Sequence, residues 1–431
     1  MGGVKNDLWE ANMRIPGRAA MAAVGLLLTA GAAAAQTSVK WLHLEVNPNQ
    51  VKIWEEVARD FEAKNPGVKI EMQFLENEAY KAKLPSMLQS KDRPHIIYSW
   101  AGGVLKSQID AGVLEDIAVP ISGYKDNLAP AAVNAFTFDG KIYGIPYAQS
   151  QVGFFYNKEL MAKAGIDGAG IKTWDNLLDA VKKLKAAGVT PLMVGGADKW
   201  PIHFYWTNLA VRVGGKPAFE AALRGENGGF EGETFIKSGQ LFKQLVDLQP
   251  FQNGFLGFKN PQAVGAFGDG KAAMTLAIST AYHQQRALAA DKKGLSDETL
   301  GWFDFPTVSG GNGDPTDTLG GINGWLVTKG APKQAVEFLK YFVSLEVQKR
   351  LAAGNFLIPV YKGASEGLAN PLMQTVAQNL ARSKYHQNFY DQSLGPSVGR
   401  VVNDVTAEIA GGSMTPEAAA KAIQDAYRQG N

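Results

Sequence analysis

The sequence predicts an α/β protein of two lobes, each an open, mostly parallel sheet flanked by helices. Three observations lead there. The segment Val39–Phe74 reads strand, helix, strand. The alternation of short apolar strands with amphipathic helices continues to Gly112. The chain has 431 residues at 45% hydrophobic and 10% aromatic composition, room for two cores at ~100 to 200 residues each. In open α/β sheets ligands bind at the carboxyl ends of the strands.

Ahead of that unit, Arg14 and Arg18 precede an apolar run from Ala19 to Ala35. The run is shorter than the ~20 residues needed to span a bilayer. It ends in Ala33-Ala34-Ala35, which fits a signal-peptidase site. Residues 1–35 are therefore expected to be a signal peptide, with the mature chain starting at Gln36. Asp7 and Glu10 make residues 1–12 a poor leader, so Met13 is an alternative start. Cysteine is absent, which removes disulfides, thiolate metal sites and a lipid-attachment cysteine together. The expected location is the periplasm, without a lipid anchor.

Val39–Leu44 reads as a buried strand. Trp54, Val57, Ala58 and Phe61 fall at i, i+3, i+4 and i+7, the spacing of one helix face over Gln50–Lys64, and Asn65-Pro66-Gly67 stops that helix. Val68–Phe74 then alternates at period two, completing a right-handed βαβ unit. Tyr80, Leu84, Met87 and Leu88 mark a second helix, interrupted by Pro85. His95–Trp100 is the next strand, and Val104–Ala111 a short helix closed by Gly112. After residue 150, Thr173 caps a helix whose apolar face is Trp174, Leu177, Leu178, Val181 and Leu184. Phe235, Phe242, Leu245 and Val246 mark another. One helix is expected from Pro332 to Ala353, and a last one from Thr415-Pro416-Glu417, a cap, N1 proline and first-turn acid.

Charge and motifs argue against several functions. A formal net charge of +2 offers no footprint for nucleic acid or an anionic membrane. The five histidines include no pair at helical metal-binding spacing. There is no phosphate-binding G-x-x-x-x-G-K-[ST] loop. Ser122-Gly-Tyr-Lys125 matches S-x-x-K without the accompanying K-T-G. No catalytic residue, cofactor or metal is expected. A secreted glycoside hydrolase would need a carboxylate pair in a cleft, and no sequence rule picks one out. Aromatic and amide side chains at loop positions are present instead. Trp100, beside Ala101-Gly102-Gly103, and Trp200, in the polar stretch Gly195–Tyr205, are candidate platforms for the apolar face of a sugar, with core packing as the alternative for each. Trp54 and Trp174 sit on apolar helix faces and read as core.

Gly144-Ile-Pro-Tyr147 followed by the apolar strand ending in Tyr156-Asn-Lys158 resembles the first interlobe crossing of extracellular solute-binding protein family 1, the sugar-binding components of ABC importers related to maltose-binding protein. Phe61–Gly67, His95–Gly103, Gly270-Lys-Ala-Ala-Met-Thr275 and Leu319-Gly-Gly-Ile-Asn-Gly-Trp325 extend the likeness in order along the chain. The resemblance implies lobes of 37–147 plus 276–320 and of 148–275 plus 321–431, with a ligand cleft between them. It implies a monomer that closes on a mono- or oligosaccharide or sugar alcohol and delivers it to inner-membrane ABC permease subunits. It also implies ligand positions at Glu45 and Asn47, Glu78, Trp100, Gly102 and Gly103, Gln149 and Ser150, Trp200 and His203, Asn323 and Asp391. Relatives commonly carry Gly-x-Trp where this chain has Ile278-Ser279-Thr280-Ala281, which leaves ligand size open. Glu45, Glu78 and Asp391 keep a polyamine or another small solute on the same fold as the alternative.

Overall fold

A computed structural model describes residues 36–430; the expected signal peptide, 1–35, lies outside the described residues. The βαβ opening forms as the periodicity implies. Strand Thr37–His43, helix Pro48–Lys64 and strand Val68–Phe74 follow one another, and the two strands pair in parallel from Thr37↔Val68 to His43↔Phe74. Helix Asn77–Gln89 keeps Pro85 inside it, strand Ile96–Ser99 pairs in parallel with Thr37–His43, and helix Gly102–Asp110 follows.

The first lobe is built on a six-stranded sheet in the order Ile358–Pro359, Gly144–Gln149, Ile322–Val327, Ile96–Ser99, Thr37–His43, Val68–Phe74. Its leading strands are parallel, as expected, but Ile322–Val327 runs antiparallel to both neighbours. The direction follows from the route of the chain. Strands reached through a helical crossover run towards the cleft, whereas a strand returning from the other lobe enters at the cleft edge and runs away from it. The second lobe centres on Val152–Asn157, flanked by Met274–Ile278 and Leu300–Phe303, both antiparallel to it. That small sheet is therefore not mostly parallel.

Strand pairing also redraws the lobe boundaries. Residues 276–320 do not join the first lobe: Leu276, Phe303, Phe305 and Leu319 share a core with Phe154 and Trp206 of the second. Nor does all of 321–431 join the second, because Trp325, Phe338, Phe342 and Leu351 pack with Trp41 and Trp54 in the first. The chain then returns, and Tyr390, Val402, Ile409 and Ile423 complete the second core. The physical reason is that Gly270–Thr275 leads into a strand of the second lobe rather than a crossing. Crossings fall at Ser150–Gln151, between the strands of the two lobes, and at Gly321, between Thr318–Gly320 and Ile322–Val327.

Two helices differ from expectation. The predicted single helix from Pro332 is two, Gln334–Phe342 and Leu345–Ala353, because the Ser344 hydroxyl accepts from the Val347 N–H and restarts the second. The stretch read as a polar loop is the start of a long helix, Trp200–Leu223, bent at Gly215. Residues 201–212 are all buried, and a helix apolar on every side has no periodic face to read. By contrast Thr173 caps Trp174–Ala186 in a full capping box with Asn176. Trp54 and Trp174 are core residues, 1% and 2% exposed. No helix among the described residues is long and apolar enough to cross a membrane.

Candidate functional site

A deep concavity lies where strand ends of the first lobe face the second, with about 1410 Å³ of empty space, open solvent at its mouth included. The first lobe contributes Glu45, just beyond Thr37–His43, Glu76, Asn77 and Lys81 at the start of Asn77–Gln89, and Tyr98 and Trp100 at the end of Ile96–Ser99. Its first crossing brings Gln149 and Ser150, and its second Asn323. The second lobe contributes Trp200, His203 and Phe204 from one face of a helix, Asp198 just before it, and Phe389, Asp391 and Gln392 from the segment ahead of helix Gly395–Gly411. This is the arrangement open sheets favour, with site residues at the carboxyl ends of strands.

Eight of the twelve expected positions line this cleft: Glu45, Trp100, Gln149, Ser150, Trp200, His203, Asn323 and Asp391. The Trp100 ring stands edge-on to Tyr80 and Tyr98, at 5.7 and 5.1 Å between centroids. The Lys81 ammonium lies 5.7 Å from its centre. Trp200 packs edge-on to Phe204 at 5.4 Å, and its indole N–H is buried without a partner among the described residues. Ser150 belongs to the crossing itself. Its N–H donates to the Gly321 carbonyl at 2.9 Å, and its hydroxyl oxygen accepts from the Gly321 N–H at 3.1 Å.

The other four positions are engaged elsewhere. Asn47 is 1% exposed. It caps helix Pro48–Lys64 by accepting from the Asn49 N–H, and its amide lies 2.7 Å from His283 Nδ1 of the second lobe. Glu78 accepts from Asn77 and Lys81 at 2.6 and 3.1 Å rather than facing the cleft. Gly102 and Gly103 do not present amides to a ligand; they let the first lobe touch the second. A Cβ on Gly102 would come within 2.9 Å of Asn388 Nδ2, and one on Gly103 within 2.6 Å of both Gly395 N and Ser393 O.

Electrostatics divide the cleft. Burial raises the Glu45 carboxyl to about 7, against the backbone N–H groups of Asn47 and Val46 that stabilise its charged form. Burial lowers His203, fully enclosed, despite the Asp391 carboxylate 3.8 Å from its Nε2. Both ring nitrogens lack a hydrogen-bond partner among the described residues. The Asp391 carboxylate accepts from Asn403 at 3.1 Å and has the Lys81 ammonium 4.0 Å away across the lobes. The acceptor oxygens of Asn323 and Gln392 are likewise buried and unpartnered. A buried polar atom left unpaired costs ~1–3 kcal/mol, so these groups favour a ligand rich in donors.

Sequence reasoning missed Glu76, Asn77, Lys81, Asp198 and Gln392. Asn77 and Lys81 are one helical turn apart and share a face, from which Glu78 is rotated away. At the end of strand Met274–Ile278 the cleft is lined by Ile278, Thr280 and Ala281, which bring no aromatic ring.

Comparisons with known proteins agree with this fold. The family profile described as bacterial extracellular solute-binding protein matches residues 47–349. An uncharacterized ABC transporter extracellular-binding protein of Pyrococcus horikoshii is 29% identical over 178 residues. The match spans 40% of this chain and only 40% of that relative's length. A solved structure from work on xylan utilization by the thermophilic bacterium Caldanaerobius polysaccharolyticus is similar at a TM-score of 0.83 and 28% identity, covering 90% of this chain and 99% of that one. A chitin oligosaccharide binding protein is similar at a TM-score of 0.83 and 27% identity, covering 91% and 98%.

Proposed function

This chain belongs to the bacterial extracellular solute-binding proteins, and we propose that its solute is a carbohydrate, captured in the periplasm and delivered to an inner-membrane ABC permease. The observation that carries the reading is the composition of the cleft wall. Aromatic rings from both lobes, Trp100, Tyr98 and Tyr147 on one side and Trp200, Phe204 and Phe389 on the other, stand beside Gln149, Asn323, Gln284 and Gln392. A sugar offers polarised C–H faces to such rings and a rim of hydroxyls to such amides, and each buried hydroxyl needs a partner. Solved structures similar to this chain concern xylan utilization and chitin oligosaccharide binding, which supports the same class.

Capture needs no bond making. The ligand touches residues of both lobes at once only when they are closed, so binding shifts the population towards the closed form. The permease then distinguishes loaded from empty protein by the relative placement of the lobes. A thermal-shift screen of the mature chain against sugars, sugar alcohols and polyamines tests this. A ligand at 100 times its dissociation constant stabilises by about 2.7 kcal/mol, and a sugar should give the largest shift. Trp100→Ala or Trp200→Ala should remove it. A response to polyamines alone would overturn the carbohydrate, and unchanged shifts in both variants would overturn the site.

A further inference from the structure

The charges around the cleft do not balance. Four carboxyl groups line it, Glu45, which burial raises to about 7, and Glu76, Asp198 and Asp391, against Lys81 as the one lysine or arginine among the described lining residues. Lys81 is already engaged, 3.1 Å from Glu78 and 4.0 Å from Asp391. Among the described residues Glu45, Glu76 and Asp198 have no basic side chain in ion-pair range. Each accepts from a backbone N–H instead: Glu45 from Asn47 at 2.7 Å, Glu76 from Glu78 at 3.1 Å and Asp198 from Asn260 at 2.7 Å.

Two of these carboxylates line the same cleft from different lobes. Glu76 opens helix Asn77–Gln89 of the first lobe, and Asp198 precedes helix Trp200–Leu223 of the second. Burial raises the Asp198 carboxyl and the Asn260 N–H lowers it; the Glu76 charge raises it, while the Lys259 and Lys81 charges lower it. The two acids thus feel one another across the gap. In the same cleft Gln392, 5% exposed, has its side-chain oxygen unpartnered, and His203, fully buried, has both ring nitrogens unpartnered. The Gln392 oxygen is a sign of a polar ligand independent of the acids.

A hydroxyl can satisfy the lone pairs of a carboxylate but leaves its charge uncompensated in a partly desolvated site. An ammonium does both. A phosphate or carboxylate ligand would add like charge and be repelled. The aromatic walls fit a ring rather than a linear chain. Building on the carbohydrate reading above, we propose that the ligand is an amino sugar whose protonated amine sits between Glu76 and Asp198 and is gripped by both lobes on closure.

Three disaccharides that differ only at C2 test this by calorimetry on the mature chain: the β-1,4-linked glucosamine disaccharide, its N-acetylated form and cellobiose, with spermidine and sn-glycerol 3-phosphate as further probes. The free amine should bind about tenfold or more tighter than the acetamide and the hydroxyl. That advantage should shrink with added salt and vanish at alkaline pH, where the amine is neutral. Asp198→Asn and Glu76→Gln, isosteric changes that remove charge alone, should each cut it to about threefold or less, with melting without ligand recorded to establish that both variants fold. Equal affinity for the three disaccharides, or an undiminished amine preference in both folded variants, overturns the amine and leaves the carbohydrate reading standing. Binding of spermidine or sn-glycerol 3-phosphate with no response to any disaccharide overturns both.

Discussion

Replacing Gly103 by alanine separates lobe closure from folding. Gly103 lies in the first turn of helix Gly102–Asp110, whose Leu105 is buried in the first-lobe core, and it meets Ser393 and Gly395 of the second lobe. A Cβ there would stand 2.6 Å from Gly395 N and from Ser393 O. Ordinary carbon contacts are ~3.5–4.0 Å, so the lobes must part by about 1 Å. Unlike Gly102, at φ +65°, Gly103 does not need a left-handed backbone. Alanine is then favourable for its helix by about 0.5–1 kcal/mol. Overpacking of this size costs about 1–3 kcal/mol, all of it on the closed form if the contact exists only there. Ligand affinity should fall about 5- to 150-fold, while melting without ligand stays level or rises slightly. Calorimetry with whichever sugar gives the largest thermal shift, alongside melting of the empty protein, reads both. Unchanged affinity would refute the claim that this contact belongs to closure. A loss of stability in the empty protein equal to the loss of binding would refute it too, by showing that the contact holds the fold together at all times.

Two further outcomes follow from single side chains. With its carboxyl raised from 4.5 to about 7, Glu45 binds its proton more tightly folded than unfolded, so it costs nothing below about pH 4.5, destabilises increasingly from there to about pH 7, and costs its full amount above that, about 3 kcal/mol at most. Glu45→Gln should therefore raise the melting temperature at pH 8 and leave it nearly unchanged at pH 4; an equal gain at both would show that the ionised form is not penalised. Thr173→Ala removes one half of the capping box on Trp174–Ala186 and should cost about 1 kcal/mol in denaturant unfolding without changing ligand affinity, and a change in affinity would tie that distant helix end to the cleft.

Much of the fold was legible because its local signals agree. The period-two run Val68–Phe74, the face Trp54, Val57, Ala58, Phe61 and the Thr173 cap each specify one local conformation, and the structure adopts it. What was not legible is which sheet a strand joins. Met274–Ile278 and Ile322–Val327 are both short apolar runs bordered by glycine, yet one pairs with Val152–Asn157 and the other with Ile96–Ser99. Periodicity fixes the faces of a strand and says nothing of its neighbour. The same limit governs the cleft. Crossing residues such as Ser150 and Asn323 follow from the connection itself, but Asp198 and Gln392 reach the cleft through helix packing alone. Gly102 and Gly103 look in sequence like ligand-binding amides because close approach of two backbones needs glycine whether the second backbone is a ligand's loop or another lobe.

The placement of those glycines bears on how capture works. Contacts join the lobes on both flanks of the cleft: Asn47 with His283 at 2.7 Å, and the Asn388 amide donating to the Trp100 carbonyl at 3.1 Å, near the Lys81–Asp391 approach. None of these needs a ligand atom. Each hydrogen bond is worth only about 1 kcal/mol net, so together they stabilise closure only modestly. That leaves closure poised rather than locked. Apparent affinity is the intrinsic affinity scaled by the fraction of molecules already competent to bind, so these flanking contacts set affinity without touching the solute, whereas Trp100, Trp200 and the cleft acids set which solute is chosen. Affinity can therefore be tuned through these flanking contacts without altering which solute is chosen.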